Sequence, residues 1–134
     1  MVLRPLLKGM EGVFIPVKNL SDSVKWYEEK LGCTTLQVEE EAVTMKIAEE
    51  SKTVICLVRT PNHKPMEFPE NNFGVAKYYN FIPSDIEEVH KALLDQGVKV
   101  NSIGGEGNMK FFTFYDLDGN PLGCCKPGKN NDKR

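Results

Sequence analysis

The chain is poor in the side chains that usually carry metal and nucleophile chemistry. Only two histidines occur in 134 residues, His63 and His90. The four cysteines, Cys33, Cys56, Cys124 and Cys125, form no C-x-x-C pair, so neither a zinc site nor a thioredoxin-like site gains support. No apolar run is long enough to span a bilayer. The start, MVLRPLLKG, lacks the long apolar core and small-residue cleavage site of a signal peptide, so the expected compartment is the cytoplasm. A net charge of -2 gives no drive towards nucleic acid or an anionic membrane. The last apolar run, PLGCC, contains no carboxylate.

What is present is ordinary for a globular protein: 40% hydrophobic and 27% charged residues. The length suits one compact domain or two half-domains. EGVFIPV is an apolar-rich run that leads into a helix-start signal. Asn19 can accept backbone N–H bonds as an N-cap, and Asp22 places negative charge in the first turn. Leu20, Val24, Tyr27 and Leu31 then recur at helical spacing, and Gly32 marks the helix end. CTTLQVE, AVTMKIA and TVICLVR follow as three strand-like runs rich in β-branched residues.

After a linker rich in proline and asparagine, residues 61–75, the pattern starts again. KYYNFIPSD is a strand running into a cap, with Ser84 and Glu87 spaced as a capping box. Ile86, Val89 and Leu93 make the apolar stripe and Gly97 ends it. VKVNSI, KFFTFYD and NPLGCC are three more strands. Asn19 and Asp85 align as caps, as do Gly32 and Gly97 as stops, with the second helix one residue shorter. The FIP triplets at Phe14 and Phe81 suggest an offset larger by one. The expected fold is α+β, a tandem repeat of two βαβββ modules at about 10–60 and 76–127 within a single domain of residues 1–134. Each module carries one helix, which covers one face of its sheet. The other faces are expected to enclose a cleft for a ligand. Asp118-Gly119 is read as a type I′ hairpin turn, and Pro121 as the start of a strand that tolerates a missing N–H.

The phrases PVKNLSDSVKWYEEKLG and FYDLDGN resemble those of the vicinal oxygen chelate superfamily, the group of glyoxalase I, extradiol dioxygenases, fosfomycin-resistance enzymes and bleomycin-resistance proteins. The resemblance covers the chain from Met10 to Lys126 and implies a curved mixed β-sheet cleft. It also implies, for the enzymes of the group, one divalent metal held by four His, Glu or Gln ligands from the first and last strands of each repeat. Carried over, those positions fall on Gly12, near Arg59, on Tyr78 and on Gly123. None is a usual ligand, and a guanidinium would repel a metal. A slip of one residue does not restore the set, because it turns each side chain to the opposite face. No metal is therefore expected, with a divalent metal on shifted ligands as the alternative. The resemblance further implies a homodimer.

Strand alternation assigns Gly12, Phe14 and Pro16, then Ile55, Leu57 and Arg59, then Tyr78, Asn80 and Ile82, and finally Pro121, Gly123 and Cys125 to the cleft. Val13, Ile15, Val17, Phe81, Leu122 and Cys124 are assigned to the helix side. The expected ligand-binding set is Phe14, Leu57, Arg59, Tyr78, Asn80 and Cys125, an apolar and aromatic lining with few polar groups. Arg59 could pair with a carboxylate or phosphate, and its competing role is an ion pair with Glu. His90 reads as a structural helix residue and His63 as a linker residue near Glu67 and Glu70. Three functions follow: a metal-free binder of a small organic molecule; a metal-dependent lyase, isomerase or dioxygenase; and a metal-free enzyme using Tyr78, Arg59 or Cys125. Cys125 has no histidine expected nearby as a base, which ranks the last reading third.

Overall fold

The computed structural model describes residues 4–126. The chain divides into two compact units, one running to Pro61 and one from Asn62. The tail after Lys126, expected to be a solvated end, lies outside the described residues.

In the first unit, β1 (Gly12–Val17) leads into α1 (Leu20–Trp26). Asn19 caps this helix from an extended backbone, and its side chain accepts the Asp22 N–H at 3.0 Å. The helix widens into one π turn, Tyr27–Leu31, and stops where Gly32 takes the left-handed conformation, φ 77°. Trp26 and Tyr27 are both buried and meet edge to face at 5.1 Å. Three strands follow: β2 (Thr34–Val38), β3 (Ala42–Lys46) and β4 (Val54–Arg59). The sheet order is β1-β4-β3-β2, with β1 parallel to β4 and the other pairs antiparallel. α1 lies against β3 and β4.

The second unit repeats this plan with losses. Its elements are β5 (Asn80–Phe81), α2 (Ile86–Asp95), β6 (Lys110–Tyr115) and β7 (Pro121–Lys126), in the sheet order β5-β7-β6. The pairing of β5 with β7 is again parallel. The expected strand VKVNSI is not continuous. It touches β6 through one isolated bridge, Val100 to Phe114, and Gly104, just past its end, makes a second to Phe111. Gly105, at φ 112°, follows this stretch and carries the chain away in a conformation that L side chains rarely adopt. The helix cap is Asp85, which accepts the Glu88 N–H at 3.0 Å, in place of the Ser84–Glu87 box. Glu87 turns instead to Lys110 on β6, 2.6 Å away, and that ammonium holds its carboxyl below the usual carboxylate range. His90, also on α2, donates from Nε2 to Asn101 O (2.8 Å) and sets its ring edge-on to Phe112.

The last hairpin differs from its expected form. Gly119 has φ 83°, but Asp118 does not share the positive φ that a type I′ turn needs at both central residues. The loop is a three-residue connection: Gly119 N–H reaches Asp116 O at 3.0 Å, and Asp116 N–H reaches Asn120 O at 3.1 Å. The Asp116 carboxylate, itself buried, accepts from Asp118 N, Asn120 N and Asn120 Nδ2, each at 2.9 Å. Asn120 is wholly buried, and its Oδ1 accepts from Met66 N at 2.9 Å and lies 3.3 Å from His63 Nε2. One amide side chain therefore fastens the 62–66 stretch to the hairpin. Asn120→Ala should leave the part-buried Met66 N–H without its acceptor and an oxygen of the buried Asp116 carboxylate without its donor, and cost about 2–3 kcal/mol in urea unfolding. A loss under about 0.5 kcal/mol would contradict this bracing role.

Candidate functional site

Ladder register decides which side chains share a face. In the first unit Val13 pairs with Ile55, Ile15 with Leu57, and Leu57 with Val43. Ile15, Val17, Val43, Met45, Ile55 and Leu57 are buried to within 4% of completely and form the core. The opposite face carries Phe14, Pro16, Cys56 and Thr44, and Phe14 remains 69% exposed. Ile55 and Leu57 are thus corrected from the open face to the core: the alternation expected on β4 is one residue out of phase. Apolar residues occupy both faces of VICLV, so polarity gave no sign of which side was inward.

Arg59 pairs in register with Val17 and so leaves the open face as well. Its Nη2 lies 2.8 Å and its Nε 2.9 Å from Glu41 Oε1, a half-exposed ion pair. Such a pair contributes less than about 1 kcal/mol, but it occupies the fork that would have met an anion.

In the second unit Asn80 stands opposite Gly123, Thr113 opposite Gly123 on the other side, and Phe111 opposite Cys125. These five share the face turned from α2. Phe81, Phe112, Phe114, Leu122 and Cys124 fill the α2 side, as alternation predicts. Tyr78 falls just before β5 and is half exposed. Its ring tilts against Phe68 at 4.9 Å, and its hydroxyl donates to Glu67 O at 3.3 Å. The structure therefore brings Asn80 and Cys125 together on one face and places Phe14 on the open face of the other unit's sheet. Burial pushes the Cys124 thiol up to about 12, with Cys125 adding to the shift, and pushes Cys33 up to about 11.

These faces also settle the repeat offset. Phe14 lies on an open face and Phe81 on a helix face, so the two FIP triplets are not equivalent; Asn80 is the counterpart of Phe14. Phe14 pairs with Cys56 as Asn80 pairs with Gly123. Cys56, not Arg59, is then the counterpart of Gly123. Two residues without an assigned role in the sequence emerge here, Cys56 and Lys77. A Cβ built on Gly123 would run into Lys77 Cε and Asn80 Oδ1, and would lie 2.7 Å from Lys77 Cδ. A Cβ on Gly12 would meet Val54 Cγ2 at 3.0 Å. The signal for Lys77 was the missing side chain at Gly123, which leaves room for a neighbour's.

A sheet covered by one helix, built twice, with first and last strands paired in parallel, defines the class of paired βαβββ-module proteins. Residues 9–123 match the Glyoxalase/Bleomycin resistance protein/Dioxygenase superfamily, and the chain belongs to it. No protein of curated function matches the chain. Among solved structures, TnmS3, an antibiotic binding protein from Streptomyces sp. CB03234, is 19% identical with a TM-score of 0.73, over 93% of this chain and 100% of that one. A glyoxalase family protein from Bacillus anthracis is 17% identical with a TM-score of 0.74, over 92% and 98%. The fosfomycin resistance protein FosX from Listeria monocytogenes is 13% identical with a TM-score of 0.72, over 93% and 98%. At these identities the likeness is one of fold.

The residues do not fit the divalent metal that enzymes of this fold hold. Gly12 is crowded by Val54, and the Gly123 corner is filled by a lysine stem and an amide. Among the described residues, no three His, Cys, Asp or Glu side chains converge. A hard cation needs several such donors and no ammonium beside it.

Leu57→Ala should cost about 2–5 kcal/mol in urea unfolding, whereas Phe14→Ala should change stability by about 0.5 kcal/mol or less. Similar costs would refute the face assignment. Iodoacetamide should label Cys56 and Cys125 in the folded protein well before Cys33 and Cys124. The two buried thiols favour the native state by staying neutral. That contribution is complete below the ordinary thiol value of 9.0 and is lost as pH climbs towards about 11 and 12. Stability that holds constant across this alkaline range would count against their burial.

Proposed function

We propose that this chain binds a small organic molecule on the sheet faces turned from its helices, without a metal. The observation that carries this reading is the Gly123 corner, where a lysine stem and an asparagine amide take the space a metal-ligating side chain would need. The surrounding face offers aromatic and small groups, Phe111, Thr113 and Cys125, with Asn80 as a polar contact, a composition suited to an organic ligand. TnmS3 supports the reading as a protein of this fold described as antibiotic binding. Cytoplasmic residence, pairing of two copies, and the absence of nucleic-acid or membrane partners belong to the same proposal. Arg59 and Leu57 are left out of the ligand set, and Phe14, Asn80 and Cys125 are kept.

The competing reading is a metal-dependent lyase, isomerase or dioxygenase. Metal analysis of protein purified without chelator separates the two. The expected result is no stoichiometric metal, an unfolding temperature unmoved by EDTA, and a rise with a bound organic compound through mass action. One equivalent of a transition metal, with a lower unfolding temperature after EDTA, would replace this reading with the enzymatic one.

A further inference from the structure

We propose that Lys77 supplies a fixed positive charge at the Gly123 corner, which binds the carboxylate of a small organic acid, with the Asn80 amide as second donor. This rests on the metal-free reading above and names the ligand class it takes.

Three observations converge on it. The lysine stem crosses the backbone of Gly123, so that a residue on the face turned from α2 is nevertheless buried. A Cβ at this position would displace the stem, so the arrangement depends on glycine there. Lys77 is itself half-buried, and among the described residues its ammonium makes no ion pair or hydrogen bond. Five other cations are engaged, whereas loop and surface lysines such as Lys52 and Lys64 are, like Lys77, without an ion pair among the described residues. Arg59 is held by Glu41, Lys46 by Glu49, Lys91 by Asp95 and Lys110 by Glu87, while Lys99 sits over the Tyr115 ring. Asn80, exposed and in register with Gly123, likewise has no hydrogen-bond partner among the described residues.

The chemistry follows from these placements. A lysine packed along its stem has already lost much of the freedom that weakens an exposed ion pair. Its ammonium offers three donors and no acceptor, and the Asn80 amide, whose Oδ1 faces Gly123, brings two donors more when its terminal torsion turns Nδ2 to the ligand. A carboxylate can accept from both at once, and charge-assisted bonds of this kind are about twice as strong as neutral ones. The apolar body of the acid would rest along Phe111 and Cys125. The anion-binding role expected of Arg59 thus moves to a residue on the other unit.

Benzoate, with benzamide as its neutral isostere and phenylphosphonate as a second anion, tests the proposal by amide NMR titration of the full chain. Benzoate should shift the Asn80 and Gly123 amides and bind about tenfold or more tightly than benzamide. Added sodium chloride should weaken benzoate and leave benzamide unchanged. Lys77→Met should bring benzoate down to the benzamide level. Gly123→Ala, which displaces the stem, should do the same while the spectrum stays that of a folded protein. Phenylphosphonate binding more tightly than benzoate would overturn the carboxylate assignment. Equal binding of benzoate and benzamide to the unaltered protein, undiminished benzoate binding by Lys77→Met, or no shift with any probe would each overturn the role of Lys77. Equal binding would leave the small-molecule reading intact; a stoichiometric metal would remove both.

Discussion

The parallel ladder joining the first and last strand of each unit constrains everything else in this protein. β1 with β4, and β5 with β7, can pair only if the chain crosses over between them, and the crossover carries the helix to one face. That face is then apolar and closed, and the opposite face is available for chemistry. A slip of one residue in either ladder would exchange the two sets. Ile15 and Leu57 would turn outward, and Phe14 and Cys56 would turn in. Burial of six core side chains in the first unit fixes the register against such a slip.

Glycine and lysine at the second unit's corner share one space. Removing one side chain does not leave a void. The nearest long stem closes over the bare backbone. The buried thiols are no substitute as reacting groups, because burial holds them protonated.

Legibility in the sequence tracked how local each cause is. Asn19 as a cap, Gly32 and Gly97 as helix stops, and the module order were readable because each depends on residues a few positions apart. The phase of β4 was not, because both its faces are apolar and only the partner strand distinguishes them. Arg59 was read as an anion site with Glu pairing as its rival; the rival is what forms, through a glutamate 18 positions away. The turn at Asp118-Gly119 was located but mistyped. Its geometry is dictated by the Asp116 carboxylate, which gathers three donors and favours the longer loop. Lys77 was invisible because its role comes from a glycine on a strand far along the chain. Of the candidate set, Phe14, Asn80 and Cys125 lie on open faces, Tyr78 is tied to Glu67 and Phe68, and Leu57 is core.

Strand order in each sheet has a bearing on synthesis. β4 and β7 are the last strands of their units to be made, yet each lies inside its sheet, between two neighbours. Neither sheet can close while that strand is still on the ribosome, since β1 joins the β2–β3 hairpin, and β5 joins β6, only through it. The N-terminal unit can finish once Arg59 has emerged, well before translation ends. The second unit must wait for residues 121–126, and a nascent chain cut short before Pro121 would expose two orphaned edges to its neighbours.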